Sequence, residues 1–293
     1  RRITREKISG DTGRMSEYDL HTRARLSIDE LREELAADRA TGIESSKWFV
    51  EAVKDAETTI QRGLQLFPES SELLADEAAF RDVLNQTTAA QAALEKAFQL
   101  NPRQDWLAVR LARRYEEAGD FGKARDVLDK CLHDNPSSKA VYFAKGRNLI
   151  RSNGAPADVL ANLRRSFSEG DNNYEAQFWF ARELFAQGDF VGARRIFDAI
   201  HERAPGRFRN ASTARLEDGS GNAVAKNGRI ERLEEGYAFV SANPYPQLLF
   251  APKGETDPIE WATLHSGAAV SFNVAFNRRG PMAISLILSR YQD

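Results

Sequence analysis

The chain has 293 residues, 42% hydrophobic and 29% charged, a globular composition long enough for two domains with cores and unlike that of a disordered polymer. A formal charge of −2 and a pI near 6.2 exclude a global attraction to nucleic acid or to an acidic membrane surface, so any such binding must rest on local patches. No apolar run approaches the roughly 18 residues that a spanning helix needs, and no membrane partner is expected.

The chain opens Arg1-Arg2-Ile3-Thr4, without Met and without a secretory apolar region. The expectation is a piece of a longer protein. Residues 1–24 read as an N-terminal segment, with the end of an upstream domain as one reading. The single cysteine, Cys131, has no internal disulfide partner and lies in a helical apolar pattern, as a packed free thiol in a reducing cytoplasm would. His21, His133, His201 and His265 are scattered without metal-ligand spacing, so neither a metal nor a cofactor is expected.

From about residue 25 to residue 206 the chain repeats. Prolines close similar segments at Pro68, Pro102, Pro136 and Pro205, at intervals of 34, 34 and 69 residues. Counted from Ser71, Ala78, Ala90, Leu94, Ala97 and Pro102 take places eight, twenty, twenty-four, twenty-seven and thirty-two. Counted from Asp105 the same places hold Ala112, Ala124, Leu128, Cys131 and Pro136, and from Tyr174 they hold Ala181, Ala193, Phe197, Ile200 and Pro205. Small residues at eight and twenty let two helices of a hairpin approach, while the bulky ones fill the seam to the next hairpin. Gly119-Asp120 and Gly188-Asp189 fall where one helix ends and the next begins. Lys139 to Asn173 is a degraded copy with Gly146 at place eight and an insertion near Asn153-Gly154-Ala155-Pro156. An earlier copy ends at Pro68 with a poorly matched first helix. The pattern predicts four and a half to five hairpins.

This register resembles the tetratricopeptide repeat, and the resemblance implies a superhelix whose concave wall is built from the first helix of each hairpin. Place nine, which faces the groove in that family, reads Ala79, Arg113, Arg147 and Arg182. Arg110 and Arg151 lie one turn away, and Trp106, Phe143 and Phe178 stand at places two or five. The set predicts a basic, aromatic-lined groove for a protein or an acidic peptide, gripped by arginine's fork of donors. The alternative is that these arginines pair with Glu116, Glu117 and Glu183 on solvated faces. Residues 207–226 read as a basic, flexible linker, the alternative for Ala211 to Leu216 being a short helical turn.

From residue 227 to 293 the period changes to two. Alternation in Arg229–Leu233, Gly236–Val240, Gln247–Phe250, Ala269–Phe276 and Ala283–Ser289 predicts five short strands closing a small all-β barrel. Gly228-Arg229-Ile230 with Gly236-Tyr237-Ala238-Phe239-Val240, Leu264 to Phe272, and Asn277 to Ala283 resemble, in order, the motifs of cold-shock domains. The resemblance implies an OB-type barrel that binds single-stranded RNA or DNA by base stacking on Tyr237 and Phe239. Leu249 and Ala251 stand where that family has an aromatic and a His, and Phe250, the third ring of the candidate site, is expected to point inward. Arg232, Lys253, Arg278 and Arg279 are the candidate phosphate contacts. Between Gly228 and Asp293, six Lys or Arg face seven Asp or Glu.

The fold class is therefore multidomain, an all-α repeat superhelix followed by a five-stranded OB or cold-shock-type barrel. No P-loop, nucleophile elbow or catalytic carboxylate pair is visible, so the chain reads as a non-enzymatic, cytoplasmic and regulatory interaction protein. The alternatives are a purely protein-binding scaffold, or the sensing half of an effector enzyme whose catalytic domain lies upstream.

Overall fold

The computed structural model describes residues 15–42, 46–206, 214–218 and 221–289. The chain forms two compact units, 1–141 and 142–293. Among the described residues, ten helices pair as five hairpins: α1 (Glu17–Thr41) with α2 (Lys47–Leu66), α3 (Ser71–Val83) with α4 (Thr87–Leu100), α5 (Asp105–Glu117) with α6 (Phe121–Asp134), α7 (Lys139–Arg151) with α8 (Pro156–Arg165), and α9 (Tyr174–Ala186) with α10 (Phe190–Arg203).

Their ends follow the turn chemistry of the sequence. Asp120 and Asp189 cap α6 and α10 by accepting from the backbone N–H of Lys123 and Gly192. Gly119 and Gly188 take positive φ, 80° and 88°, at the preceding helix ends. The small residues at places eight and twenty are buried, Ala78, Ala90, Ala124 and Ala181 completely. At Gly146 no side chain fits, since a Cβ would lie 2.7 Å from a methyl of Leu163 on the facing helix α8. Cys131 is fully buried in α6, and burial pushes its thiol up to about 11, so it behaves as a core residue.

The first hairpin departs from the expected boundaries. α1 begins at Glu17, inside the stretch read as an N-terminal segment, with a capping box between Ser16 and Asp19. It runs 25 residues, so the 34-residue register that locates the other hairpins does not locate it. Its core is Ala24, Ile28 and Leu31 against Ala52, Ala56 and Ile60 of α2.

In the second unit the barrel comprises β2 (Ala225–Leu233), β3 (Tyr237–Ser241), β4 (Leu249–Pro252), β5 (Ala269–Asn277) and β6 (Gly280–Leu288). Antiparallel pairs join β2 to β3 and β5, β3 to β4, and β5 to β6. The parallel pairing of Phe250 with Met282 closes β4 onto β6. Gly228 is required where β2 runs between β3 and β5: a Cβ there would sit 2.4 Å from the carbonyl oxygen of Ser241 on β3. A short helix, α11 (Pro258–Thr263), is capped by Asp257 and buries Trp261.

The stretch read as a linker is partly built into the sheet. Ala214–Arg215 forms β1 on the edge of β5, with Ala214 opposite Phe276, neither flexible linker nor helical turn at these two residues; Ala211 to Thr213 lie outside the described residues. Arg207 and Arg209 of the basic stretch lie outside the described residues. The fifth hairpin also shares one hydrophobic core with the barrel. Phe197 of α10 stacks on Phe276 of β5 at 6.0 Å, and Phe185 of α9 stacks on Tyr245 of the β3–β4 loop at 5.0 Å. Aromatic pairs at such separations add about 0.5–1.5 kcal/mol each beyond their area burial, so hairpin and barrel hold a fixed geometry.

Candidate functional site

Strand alternation in β3 and β4 sets the geometry of the barrel's outer face. Ala238, Val240, Leu249 and Ala251 point inward and are buried, while Tyr237 and Phe239 point outward. Phe250 is 39% exposed, not inward as the sequence suggested, because it lies directly opposite Phe239 in the β3–β4 register and shares its face. Three rings therefore form one cluster, with centroids 5.7 Å apart for Tyr237 and Phe239, 5.7 Å for Tyr237 and Phe250, and 6.0 Å for Phe239 and Phe250.

Arg232 belongs to this cluster. Its guanidinium lies 5.2 Å from the Phe239 ring and 5.7 Å from Tyr237, donates to the Tyr237 hydroxyl at 2.9 Å, and is held by Glu234 at 3.1 Å. Lys253 is exposed in the 3-10 turn after β4, where its backbone N–H donates to Gly236. Arg278 and Arg279 stand at the β5–β6 turn.

The three rings, Arg278 and Arg279 open onto a cleft of about 950 Å³ in the second unit, whose lining does not include Arg232 or Lys253. One wall carries Tyr237, Phe239, Phe250, Arg278 and Arg279. The opposite wall is the fifth hairpin, through Phe190, Arg194 and Asp198, and the β3–β4 loop contributes Tyr245 and Leu248. Sequence reading missed the second wall. In the repeat register Arg194 is an unremarked position of a second helix, and only the shared core brings it to the barrel.

The repeat arginines do not form the expected ladder. In the second unit, Phe178 is completely buried against Phe197, a core residue with no groove face. Arg182 is 6% exposed; it pairs with Glu183 and donates to the carbonyl oxygen of Arg215, tying α9 to β1. Arg147 lies flat on Trp179, 3.3 Å from the ring centroid, and burial, with the nearby Arg182, pulls its pKa down to about 10. Phe143 packs against the Leu149, Val159 and Leu163 cluster, and Arg151 is exposed on α7. Phe143, Arg147, Phe178 and Arg182 are engaged in packing. The insertion of Trp179 and the docking of β1 decide this, and neither is visible in a repeat register.

In the first unit, Arg113 is exposed and pairs with Glu117 at 3.0 Å, as the solvated-face alternative expects. Trp106 and Arg110 do line a concavity, a cleft of about 460 Å³ on the first helices of the first three hairpins. Trp106 is 41% exposed, and Arg110 is steadied by Asp82 at 3.2 Å and by the Ala75 carbonyl oxygen. Arg25, Asp29 and Arg32 of α1, Glu72 of α3 and the part-buried pair His21 and Asp76, 2.6 Å apart, also line it. Burial pushes the Asp76 carboxyl up to about 6 against the pull of His21, Arg25 and Arg110. The α1 residues escaped sequence reading because α1 lies outside the 34-residue register.

Residues 84–147 match the tetratricopeptide repeat family model, and repeats of this family act as protein-interaction scaffolds. No curated protein matches the chain. Among solved structures, the chain is similar to PilF of Pseudomonas aeruginosa at 16% identity and TM-score 0.46, covering 63% of this chain and 79% of that one. It is also similar to YrrB, a TPR protein with an unusual peptide-binding site, at 14% identity and TM-score 0.42, covering 54% of this chain and 81% of that one. PilW, a type IV pilus biogenesis factor, is similar at 16% identity and TM-score 0.43, covering 61% and 77%.

Proposed function

We propose that the chain is a non-enzymatic, two-site interaction protein in which the barrel binds single-stranded RNA or DNA and the repeats bind a protein. The observation that carries the first half is the three-ring cluster of Tyr237, Phe239 and Phe250 on the outer face of β3 and β4. Rings on adjacent strands supply π-faces for successive bases, each stacked base being worth about 1–3 kcal/mol. The cold-shock resemblance of the barrel's turns and strands supports the same reading. With the six cations of the barrel sequence offset by seven acids, binding is weak, and the arginines around the rings make it salt-sensitive. Titrating a labelled single-stranded oligonucleotide into the chain at low salt is expected to give saturable anisotropy that fades as salt rises; a flat titration rejects nucleic acid as the barrel's ligand.

The second half rests on the cleft of the first three hairpins, where an exposed Trp106 stands among Arg25, Arg32 and Arg110. Trp106 offers a ring and the arginines their forks of donors to a peptide's carboxylates, although Asp29, Glu72 and Asp76 share the lining and Asp29 holds Arg32 at 2.9 Å. An acidic peptide that binds the wild-type chain is expected to bind Arg25→Glu at least several-fold more weakly, and equal binding by calorimetry would remove this cleft from the reading.

A further inference from the structure

We infer that the seat for the single strand is the whole cleft between the fifth hairpin and the barrel, with Arg194 of α10 as a phosphate contact facing the ring cluster. The inference rests on the nucleic-acid reading of the barrel and adds the repeat-borne wall to it. The cleft's volume, about 950 Å³, exceeds what one stacked ring fills, and its walls are held by the stacked pairs Phe197–Phe276 and Phe185–Tyr245. Its charge runs against the chain as a whole: the net charge is −2, yet among the described residues three arginines, Arg194, Arg278 and Arg279, line it against one acid, Asp198. A concentration of guanidinium groups around exposed rings complements a phosphodiester backbone carrying bases, and suits a purely apolar peptide poorly.

Arg194 is free to serve because it is solvated. Its side chain is 61% exposed and touches Asp198 only at 3.5 Å, a surface pair that costs little to exchange for a phosphate. Bases stacked on Phe239 and Phe250 would then leave their backbone between the β5–β6 turn and α10. Because hairpin and barrel share a core, the strand is gripped from both sides without any closing motion.

The test uses the full chain and a labelled oligouridylate, with Arg194→Ala, Asp198→Asn and Phe239→Ala compared with wild type. Arg194→Ala is expected to weaken binding several-fold and to reduce the slope of log affinity against log salt by about 0.7, the contribution of one single-strand phosphate contact. Asp198→Asn, which removes the only acid of the cleft's lining among the described residues, should strengthen binding. Both sites are exposed helix positions, so melting curves should stay close to wild type. Unchanged affinity and slope in both variants, with Phe239→Ala impaired, would overturn the composite cleft and leave the barrel reading standing. Wild-type affinity in Phe239→Ala would instead overturn the barrel reading. Competition by uridine monophosphate as effective as by the oligonucleotide would contradict a strand-length seat.

Discussion

Replacing Phe239 and Phe250 together with alanine is expected to weaken oligonucleotide binding by about 2–6 kcal/mol, at least about 30-fold in Kd, while leaving the barrel folded. The size follows from the loss of two stacking faces. The specificity of the effect follows from where the rings lie. Both point away from the barrel interior, whose packing is made by Ala238, Val240, Leu249 and Ala251. A substitution such as Leu249→Ala, by contrast, removes a core side chain and should cost about 2–5 kcal/mol of stability. Because neither phenylalanine contacts phosphate in this arrangement, the salt slope of the double variant should match wild type even as its affinity drops. Parallel loss of affinity and slope would mean that the rings act only by holding Arg232 and its neighbours in place.

The second large effect is on folding. Arg182→Ala is expected to destabilise the chain by about 3–5 kcal/mol in urea denaturation, the cost of leaving one member of a buried ion pair without its partner. Glu183, 8% exposed, would lose the guanidinium that pairs with it, and the carbonyl oxygen of Arg215 on β1 would lose its donor. Arg182→Met with Glu183→Leu, which removes both charges and keeps volume, should recover much of the loss. A change below about 1 kcal/mol for the single variant would show that the pair is not buried in solution. The sequence pattern alone leads to a different experiment, charge reversal at Arg147 and Arg182 to abolish partner capture. With Arg182 buried and Arg147 packed on Trp179, such a variant reports folding first.

What could be read from residues alone was whatever depends on local spacing. The small residues at places eight and twenty, the Gly-Asp turns and the Gly and Pro punctuation of the barrel each act within one hairpin, and they lie where the spacing puts them. What escaped depends on contacts between elements far apart in the chain. The direction of Phe250 is set by its register against Phe239, which the pairing of β3 with β4 decides and the spacing within one strand does not. The fate of the place-nine arginines is set by Trp179 and by a two-residue strand, Ala214–Arg215, within a polar stretch. The second wall of the cleft depends on Phe197 meeting Phe276, a pairing 79 positions apart that no repeat register encodes.

The ring cluster can be interrogated directly by ultraviolet cross-linking of a single-stranded oligouridylate to the chain, followed by mass spectrometric mapping of the adducts. Adducts on Tyr237, Phe239 or Phe250, competed by unlabelled single strand and not by duplex, are the expected result. Adducts confined to other residues, or none under conditions where the oligonucleotide binds, would contradict the assignment of the barrel's outer face as the nucleic-acid site.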